Sequence, residues 1–198
     1  MSEATAQLDL PDRVRLPFDL DAAALAEEVR RLPAEDWVDH LVRQNYEGAW
    51  RVVPLRSAAG ETHRLRMIHS DPGAKSFVDT PYLHRMPAMR AALARFECPL
   101  RSVRLMRLTA GSRIKPHCDP GLDAAAGLAR LQVPIETDDA VEFLLNGRPV
   151  AMAPGSVWYL RLTDPHSVTN RGLGDRTHLV VDTIVDPWLM EMLRRGAG

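Results

Sequence analysis

The stretch VEFLLNGRPVAM, residues 141–152, contains two short apolar runs separated by the dipeptide Asn146-Gly147. An Asn-Gly pair readily adopts the positive φ angles that a two-residue hairpin turn requires. The stretch therefore predicts an antiparallel β-hairpin. Runs with β-branched and aromatic residues lie on both sides of it, which favours a mainly β fold for this part of the chain.

Further predicted strands extend in both directions from this hairpin. They are WRVVPLRS (50–57), VRLMRLT (103–109), RIKPHCD (113–119), ARLQVPI (129–135), SVWYLRL (156–162), PHSVTN (165–170) and RTHLVVDTIV (176–185). About seven or eight short strands with frequent turns predict a closed or double-layered antiparallel structure. The expected fold is mainly β with flanking helices, a double-stranded β-helix of the jelly-roll, cupin-like type.

Three segments have the apolar spacing and end signals of helices, namely DAAALAEEVRRLP (21–33), MPAMRAALARFE (86–97) and DPWLMEMLRRG (186–196). Asp21 and Asp186 are predicted N-caps, and Gly196 is expected to end the last helix. The length suits a single domain over residues 1–198. We expect a helical N-terminal flank over about residues 1–36 and a jelly-roll core over about residues 100–186.

Composition excludes several classes of partner. The net charge is −1 with no long run of either sign, which gives no support for binding to nucleic acid or to a membrane surface. The chain has no apolar run long enough to span a bilayer and no secretory signal at its start, so we expect a cytoplasmic protein. Cys98 and Cys118 lie too far apart for a Cys-x-x-Cys site, and we expect both to be small packing residues.

The segment RIKPHCDPG, residues 113–121, carries His117 and Asp119 two positions apart. Residues i and i+2 of a strand project to the same face, so the imidazole and the carboxylate should lie together. Such a pair suits Fe(II), Mn(II) or Zn(II) and needs a third ligand from elsewhere. The same spacing occurs at His69-Ser70-Asp71, where we expect a turn in which the Asp bonds its own backbone.

Of the two His-x-Asp segments, only the one with His117 is followed by a further histidine and an arginine at suitable spacing. His166 begins a predicted strand, and Arg176 stands ten positions later, across the loop segment NRGLGD (170–175). A hairpin of this length would place Arg176 on the strand next to His166. An arginine there could hold the far end of a molecule bound to the metal.

This order of His-x-Asp, His and Arg resembles the Fe(II)/2-oxoglutarate-dependent oxygenases. The narrower resemblance is to the aspartyl/asparaginyl β-hydroxylase-like family, with its small bacterial relatives that hydroxylate amino acids such as proline, and it covers roughly residues 37–190. It implies that His117, Asp119 and His166 bind Fe(II), with 2-oxoglutarate and O2 as co-substrates. It also implies that Arg176 binds the distal carboxylate of 2-oxoglutarate through two hydrogen bonds.

This sequence departs from the family's pattern at two positions. The family's Arg-x-His strand reads Arg130-Leu131-Gln132 here, and Met106 stands where animal members have a serine that helps to hold the co-substrate. By the same resemblance, Arg130 and Gln132 are expected to bind the co-substrate, with Arg130 alternatively holding the substrate. Arg56 is the preferred substrate contact.

The leading hypothesis is a dioxygenase that hydroxylates an amino acid, whether free, bound to a carrier or part of a peptide. An alternative is a cupin-like metal or small-molecule binding protein without oxygenase activity, in which the same ligands hold Zn(II). A third is a degenerate family member that acts as a partner-binding module, which the residues Gln132 and Met106 keep open.

Overall fold

The structure, a computed structural model, describes residues 10–71 and 73–198. Its strands are β1 (Arg13–Asp19), β2 (Val38–Asp39), β3 (Tyr46–Glu47), β4 (Trp50–Ala58), β5 (Phe77–Asp79), β6 (Leu100–Leu108), β7 (Arg113–His117), β8 (Leu128–Glu136), β9 (Val141–Leu145), β10 (Arg148–Pro149), β11 (Ser156–Leu160), β12 (His166–Asn170) and β13 (Arg176–Ile184). Its α-helices are α1 (Ala22–Arg30), α2 (Arg64–Met67), α3 (Pro81–His84), α4 (Pro87–Leu93) and α5 (Pro187–Ala197).

The strands form two antiparallel sheets. The larger sheet has the order β1-β11-β8-β13-β6-β4-β2, with β5 paired to β4, and the smaller has the order β10-β9-β12-β7-β3. Consecutive strands at the C-terminal end alternate between the sheets, as in a double-stranded β-helix. The predicted jelly-roll fold is confirmed.

Two apolar clusters divide the interior. One lies between the sheets and includes Leu108, Ile114 and Val180. The other lies between the larger sheet and the helices, and it includes Leu179 and Val181 of β13. Because side chains alternate along a strand, β13 contributes to both clusters, and the helices leave the space between the sheets free for a site.

The local signals for helix starts are confirmed. The Asp21 side chain accepts a hydrogen bond from the Ala24 amide at 3.0 Å, and that of Asp186 accepts one from the Leu189 amide at 2.9 Å. The prediction that Gly196 ends the last helix is wrong, because α5 continues through it to Ala197. The Arg15 carbonyl occupies the place where a Cβ of Gly196 would lie, so this glycine permits a close approach of helix and strand.

The Asn146-Gly147 hairpin forms as predicted, with φ angles of 53° and 69° and with β9 paired to β10. Residues 1–9 of the predicted helical flank lie outside the described residues. From residue 10 onward the flank contains β1 as well as α1, and β2 to β5 join the sheets before residue 100. In β1 the apolar side chains of Val14 and Leu16 are buried between exposed or half-buried neighbours. This alternation is the pattern of a strand with one face on the core.

Among residues 10–71 and 73–198, no helix combines the length and the apolar character needed to cross a membrane.

Candidate metal centre

Two histidines and one aspartate converge between the sheets. His117 ends β7, His166 begins β12, and the two residues are paired across these antiparallel strands. Asp119 follows the end of β7, where its amide donates to the Leu162 carbonyl at 2.7 Å. One ligand atom from each side chain lies within 4.8 Å of the others, so a single ion could touch all three.

An irregularity in β7 aims His117 into this space. Strict alternation from the buried Ile114 would turn residue 117 outward. The pairing between β12 and β7 changes register here, because His166 faces His117 whereas Val168 faces Ile114. The extra residue on β7 is a bulge, and Pro116, which has no amide hydrogen to offer, is compatible with it.

Both imidazoles present Nε2 to the cluster. His117 Nδ1 lies 2.8 Å from the Lys115 carbonyl oxygen, and His166 Nδ1 lies 3.0 Å from that of Asp164. A proton on each Nδ1 is donated to these carbonyls and leaves the Nε2 lone pairs for a metal. Burial lowers the pKa of His166, which favours the neutral form that metal binding requires.

The third ligand, the carboxylate of Asp119, is held by a chain of ion pairs. Arg130 Nη1 donates to Asp119 Oδ2 at 2.6 Å, while Arg130 Nε and Nη2 donate to the two oxygens of Asp182 at 2.6 Å and 3.0 Å. The other Asp119 oxygen, Oδ1, lies 3.6 Å from His117 Nε2. Arg130 therefore fixes one oxygen of Asp119 and leaves the second for the metal.

Asp182 is the buried centre of this chain. It also accepts hydrogen bonds from Arg104 Nη2 and from Ser70 Oγ, the latter at 2.8 Å. Burial alone would raise the pKa of Asp182, but the guanidinium groups of Arg104 and Arg130 hold it well below its ordinary value. The carboxylate is therefore ionised at neutral pH, and together with Asp119 it balances the charges of Arg104 and Arg130.

Arg176, the first residue of β13, is a buried cation of a different kind. Only 4% of the residue is exposed, and no carboxylate in residues 10–71 and 73–198 lies within ion-pair distance of it. Its Nη2 donates to His178 Nδ1 at 2.8 Å, and its Nε is buried without a partner. Burial lowers the pKa of Arg176 to about 9, so the group remains protonated at neutral pH. An anionic ligand would supply the missing partner.

The relation of Arg176 to His166 differs from the predicted hairpin. β12 pairs with β7 and β9 in the smaller sheet, whereas β13 pairs with β6 and β8 in the larger one. The prediction of adjacent strands is wrong, because both edges of β12 are already occupied. The loop between them crosses from sheet to sheet, and the two side chains face the same space from opposite layers.

Two cavities meet at the cluster. The inner cavity, about 90 Å³, is lined by His117, Asp119, His166, Arg130, Gln132 and Arg176, with Met106, Trp50, Phe143 and Val168 among its walls. The outer cavity, about 360 Å³, is lined by His40, His69, Arg101, Arg104, Asp119, Arg130 and Asp182, among others. His40, Val42, Asp119 and Arg130 border both cavities, which are thus neighbours.

The structure brings together most of the residues singled out in the sequence. The predicted metal ligands and the predicted co-substrate residues Arg130, Gln132 and Arg176 line the inner cavity. Gln132 Oε1 lies 3.0 Å from His178 Nδ1, beside Arg176. The observed partners of Arg130 are Asp119 and Asp182, so any contact with a co-substrate would be additional.

Arg56, the predicted substrate contact, is not brought to either of these cavities. It forms an ion pair with Asp79 and donates to the Phe77 carbonyl at 2.7 Å, on the side of β4 that pairs with β5. The second His-x-Asp segment forms the expected turn, in which Asp71 Oδ1 accepts from the Gly73 amide at 2.8 Å.

Two residues of the site were not predicted from the sequence. Asp182 is the only acidic residue in the apolar strand β13, and it stands an even number of positions from Arg176, so strict alternation would have placed both on the inner face. His40, in contrast, follows the two-residue strand β2, where no periodic pattern marks which way a side chain points.

The double-stranded β-helix and the cluster of two histidines and one aspartate define a class of protein, that of the cupin-like and 2OG-Fe(II) oxygenase folds. Within this class, a sequence model of the Aspartyl/Asparaginyl beta-hydroxylase family matches residues 20–185. The chain belongs to this family, as the motifs predicted.

Solved structures agree on the fold. An oxidoreductase of the 2OG-Fe(II) oxygenase family from Burkholderia pseudomallei is similar, with 20% identity and a TM-score of 0.52 over 87% of this chain and 85% of that one. SnoN, a non-heme alpha-ketoglutarate-dependent epimerase from nogalamycin biosynthesis, is similar at 15% identity and a TM-score of 0.53 over 90% and 78%. The search of curated proteins found no match.

Proposed function

We propose that this protein is an Fe(II)/2-oxoglutarate-dependent dioxygenase that hydroxylates an amino acid or an amino-acid residue. One observation carries the proposal. The inner cavity has a three-residue metal cluster and, across from it, a buried guanidinium for which the described residues 10–71 and 73–198 supply no counter-ion, so it offers partners for both ends of a chelating dicarboxylate.

The residues fit the metal. Two imidazoles and one carboxylate are the donors of the facial Fe(II) site, which leaves three coordination positions for other ligands. His117, Asp119 and His166 would hold the ion. Arg130 sets the orientation of Asp119, because it occupies one of the two carboxylate oxygens.

When bound, Fe(II), 2-oxoglutarate and O2 supply the oxidising chemistry, with succinate, CO2 and one hydroxyl group in place of a C–H hydrogen as products. Arg176 would bind the distal carboxylate of 2-oxoglutarate with its planar donor fork, a role in which lysine is a poor replacement. Trp50, Phe143 and Val168 line the cavity with apolar surface that excludes water and strengthens these ionic contacts.

The first experiment is His166→Ala. We expect it to abolish iron-dependent formation of succinate while the fold persists, because Ala offers the metal no donor. Succinate release and iron content would be measured on the purified variant. His84→Ala removes an exposed histidine of α3 and serves as the matched control. Unchanged turnover in the His166 variant would contradict the ligand assignment.

A second candidate is a Zn(II) or small-molecule binding protein without oxygenase activity, because the same donor set fits Zn(II). Such a protein has no need of Arg176. Anaerobic addition of Fe(II) and 2-oxoglutarate separates the two functions. A weak visible charge-transfer band that requires both additions supports the dioxygenase, and its absence supports the binding protein.

A further inference from the structure

One ring nitrogen of His178 has two neighbours that require opposite protonation states. Arg176 Nη2, which can only donate, lies 2.8 Å from His178 Nδ1. Gln132 Oε1, which can only accept, lies 3.0 Å from the same atom. An imidazole nitrogen carries either a lone pair or a proton, so His178 can form a hydrogen bond with only one of these neighbours at a time.

The ring has a single proton. Burial, together with the adjacent guanidinium of Arg176, lowers the pKa of His178 well below its ordinary value, so the imidazole is neutral. In the unliganded protein a lone pair on Nδ1 is favoured, because it accepts a hydrogen bond from the charged Arg176, whereas a proton there would oppose that donor. The ring proton is then on Nε2, and the Nδ1 lone pair faces the Gln132 oxygen with no hydrogen between them.

The surroundings of His178 allow this proton to move. His178 and Arg176 line a third cavity, of about 440 Å³, on which Gln132 does not border. The lining of this cavity includes the exposed residues Asp138 and Asp139, so water can enter it. Water can accept the Nε2 proton and one proton can return to Nδ1, which leaves the ring neutral.

A carboxylate bound to Arg176 would reverse the preference. It would give the guanidinium a charged partner, so that Arg176 would no longer need the lone pair of His178. A proton on Nδ1 would then form a hydrogen bond to Gln132 Oε1. Among residues 10–71 and 73–198, the amide nitrogen of Gln132 has no hydrogen-bond partner. With its oxygen held by His178, Gln132 would keep this nitrogen as a donor for the inner cavity that it lines.

We propose that His178 is a positioning residue whose ring proton moves from Nε2 to Nδ1 when a carboxylate binds Arg176, so that His178 then holds Gln132 in place. This inference rests on the proposed function, since 2-oxoglutarate is taken as the source of the carboxylate. His178 does not line the inner cavity, so it would act through Arg176 and Gln132. Binding of one end of the co-substrate would thereby orient a second side chain of its site.

The test locates the ring proton by NMR. Wild-type protein is labelled with 15N-histidine and loaded with diamagnetic Zn(II), and the spectra distinguish protonated from unprotonated ring nitrogens. We expect the His178 proton on Nε2 without co-substrate and on Nδ1 with saturating 2-oxoglutarate. 2-Oxobutyrate has the same chelating end but no distal carboxylate, and we expect it to leave the proton on Nε2. Comparison with His178→Phe assigns the resonances.

Two variants should move the proton in opposite directions. Arg176→Met removes the competing donor, and we expect the proton on Nδ1 even without a ligand. Gln132→Leu removes the acceptor, and we expect the proton to stay on Nε2 when 2-oxoglutarate binds. Arg90→Met changes an exposed arginine and should leave the unliganded proton on Nε2. A purely structural role of His178 would not produce these opposite shifts, and thermal melting shows whether each variant is folded.

The inference is overturned if 2-oxoglutarate binds and the proton stays on Nε2, if 2-oxobutyrate moves the proton as well, or if Arg176→Met leaves it on Nε2. The charge-transfer band with Fe(II) and 2-oxoglutarate reports binding on the same wild-type protein. If the band forms and the proton does not move, the role of His178 is refuted and the proposed function stands. If the band does not form, the proposed function fails, and the role of His178 toward a co-substrate fails with it.

Discussion

At the scale of single residues, Arg176 shows how this site balances stability against function. A buried charge without an opposite charge lowers the stability of a fold. Arg176 is 96% buried, and its hydrogen bond to neutral His178 supplies no compensating charge. The unliganded protein therefore bears a cost that an anionic co-substrate would offset.

This predicts opposite effects of Arg176→Met on stability and on binding. The free energy of unfolding of the unliganded protein should rise by about 1–3 kcal/mol, because the buried charge is removed. The amount of 2-oxoglutarate needed for turnover should rise far more than iron binding weakens. Denaturant unfolding with and without 2-oxoglutarate measures stability and binding of 2-oxoglutarate, and succinate release at varied 2-oxoglutarate and Fe(II) measures the change in turnover. Arg90→Met changes an exposed arginine of α4 and is the control. Equal stabilisation of variant and wild type by 2-oxoglutarate would remove Arg176 from the binding site.

At the scale of elements, strand β13 serves both the candidate site and the packing of the larger sheet against the helices. Its inner face carries Arg176, His178 and Asp182 toward the cavities, while Leu179 and Val181 pack beneath the helices. The strand is buried along nearly its whole length, so its position is set from both sides. A rigid strand of this kind holds charged groups at fixed separations.

Asp182→Asn tests the ionic chain on this strand. We expect a loss of about 3–5 kcal/mol of unfolding free energy, because Arg104 and Arg130 lose their shared anion in a buried place. Metal affinity should also fall, since Arg130 would no longer be held against Asp119. Urea unfolding and titration with Co(II) measure the two effects. Asp79→Asn alters a half-exposed ion pair and should cost less than about 1 kcal/mol.

The same variant has a pH signature. The pKa of Asp182 is depressed in the folded protein, so its contribution to stability is complete above its unfolded pKa of about 4 and is lost as the pH falls below it. The difference in stability between wild type and Asp182→Asn should therefore shrink on acidification below about pH 4. A difference that stays constant to low pH would show that Asp182 is not the ionised centre of the chain.

At the scale of the whole molecule, one glycine joins the N-terminal segment to the larger sheet. The Gly155 carbonyl accepts from the Leu20 amide at 2.9 Å, and the Gly155 amide donates to the Pro134 carbonyl at 2.8 Å. A Cβ at this position would meet the Leu20 carbonyl oxygen. Gly155 therefore allows the turn between β1 and α1 to lie directly against the sheet.

Gly155→Ala should destabilise the protein much more than Gly60→Ala. Both glycines have a φ of 83°, so Ala pays a similar backbone cost of about 1–2 kcal/mol at either position. Nothing lies within 4 Å of a Cβ at Gly60, whereas Gly155 adds the clash with Leu20. Thermal and denaturant unfolding of the two variants measure the difference. Equal losses would show that the close contact at Gly155 is not needed.

The sequence predicts features that depend on neighbouring residues, but not features that depend on contacts between distant parts of the chain. The Asn146-Gly147 turn and the Asp21 and Asp186 caps depend on neighbouring residues, and they appear in the structure as expected. The sheet crossing between β12 and β13 depends on which strands occupy the edges, which no local pattern records.

The features of the candidate site are likewise predictable only where they depend on local spacing. The shared face of His117 and Asp119 follows from spacing along one strand. The bulge that turns His117 inward depends on the partner strand. The preference for Arg56 as a substrate contact relied on a counterpart segment in relatives, and here Asp79 of β5 pairs with that guanidinium instead.

The pairing of His117 with His166 has a consequence for the smaller sheet. An ion bound by both imidazoles would tie β7 to β12 through their side chains, just where the bulge interrupts regular backbone pairing. Bound metal would then add a link between the two strands at this irregular position, and loss of the ion would remove it. Metal binding would therefore stabilise the smaller sheet, and removal of the metal would destabilise it.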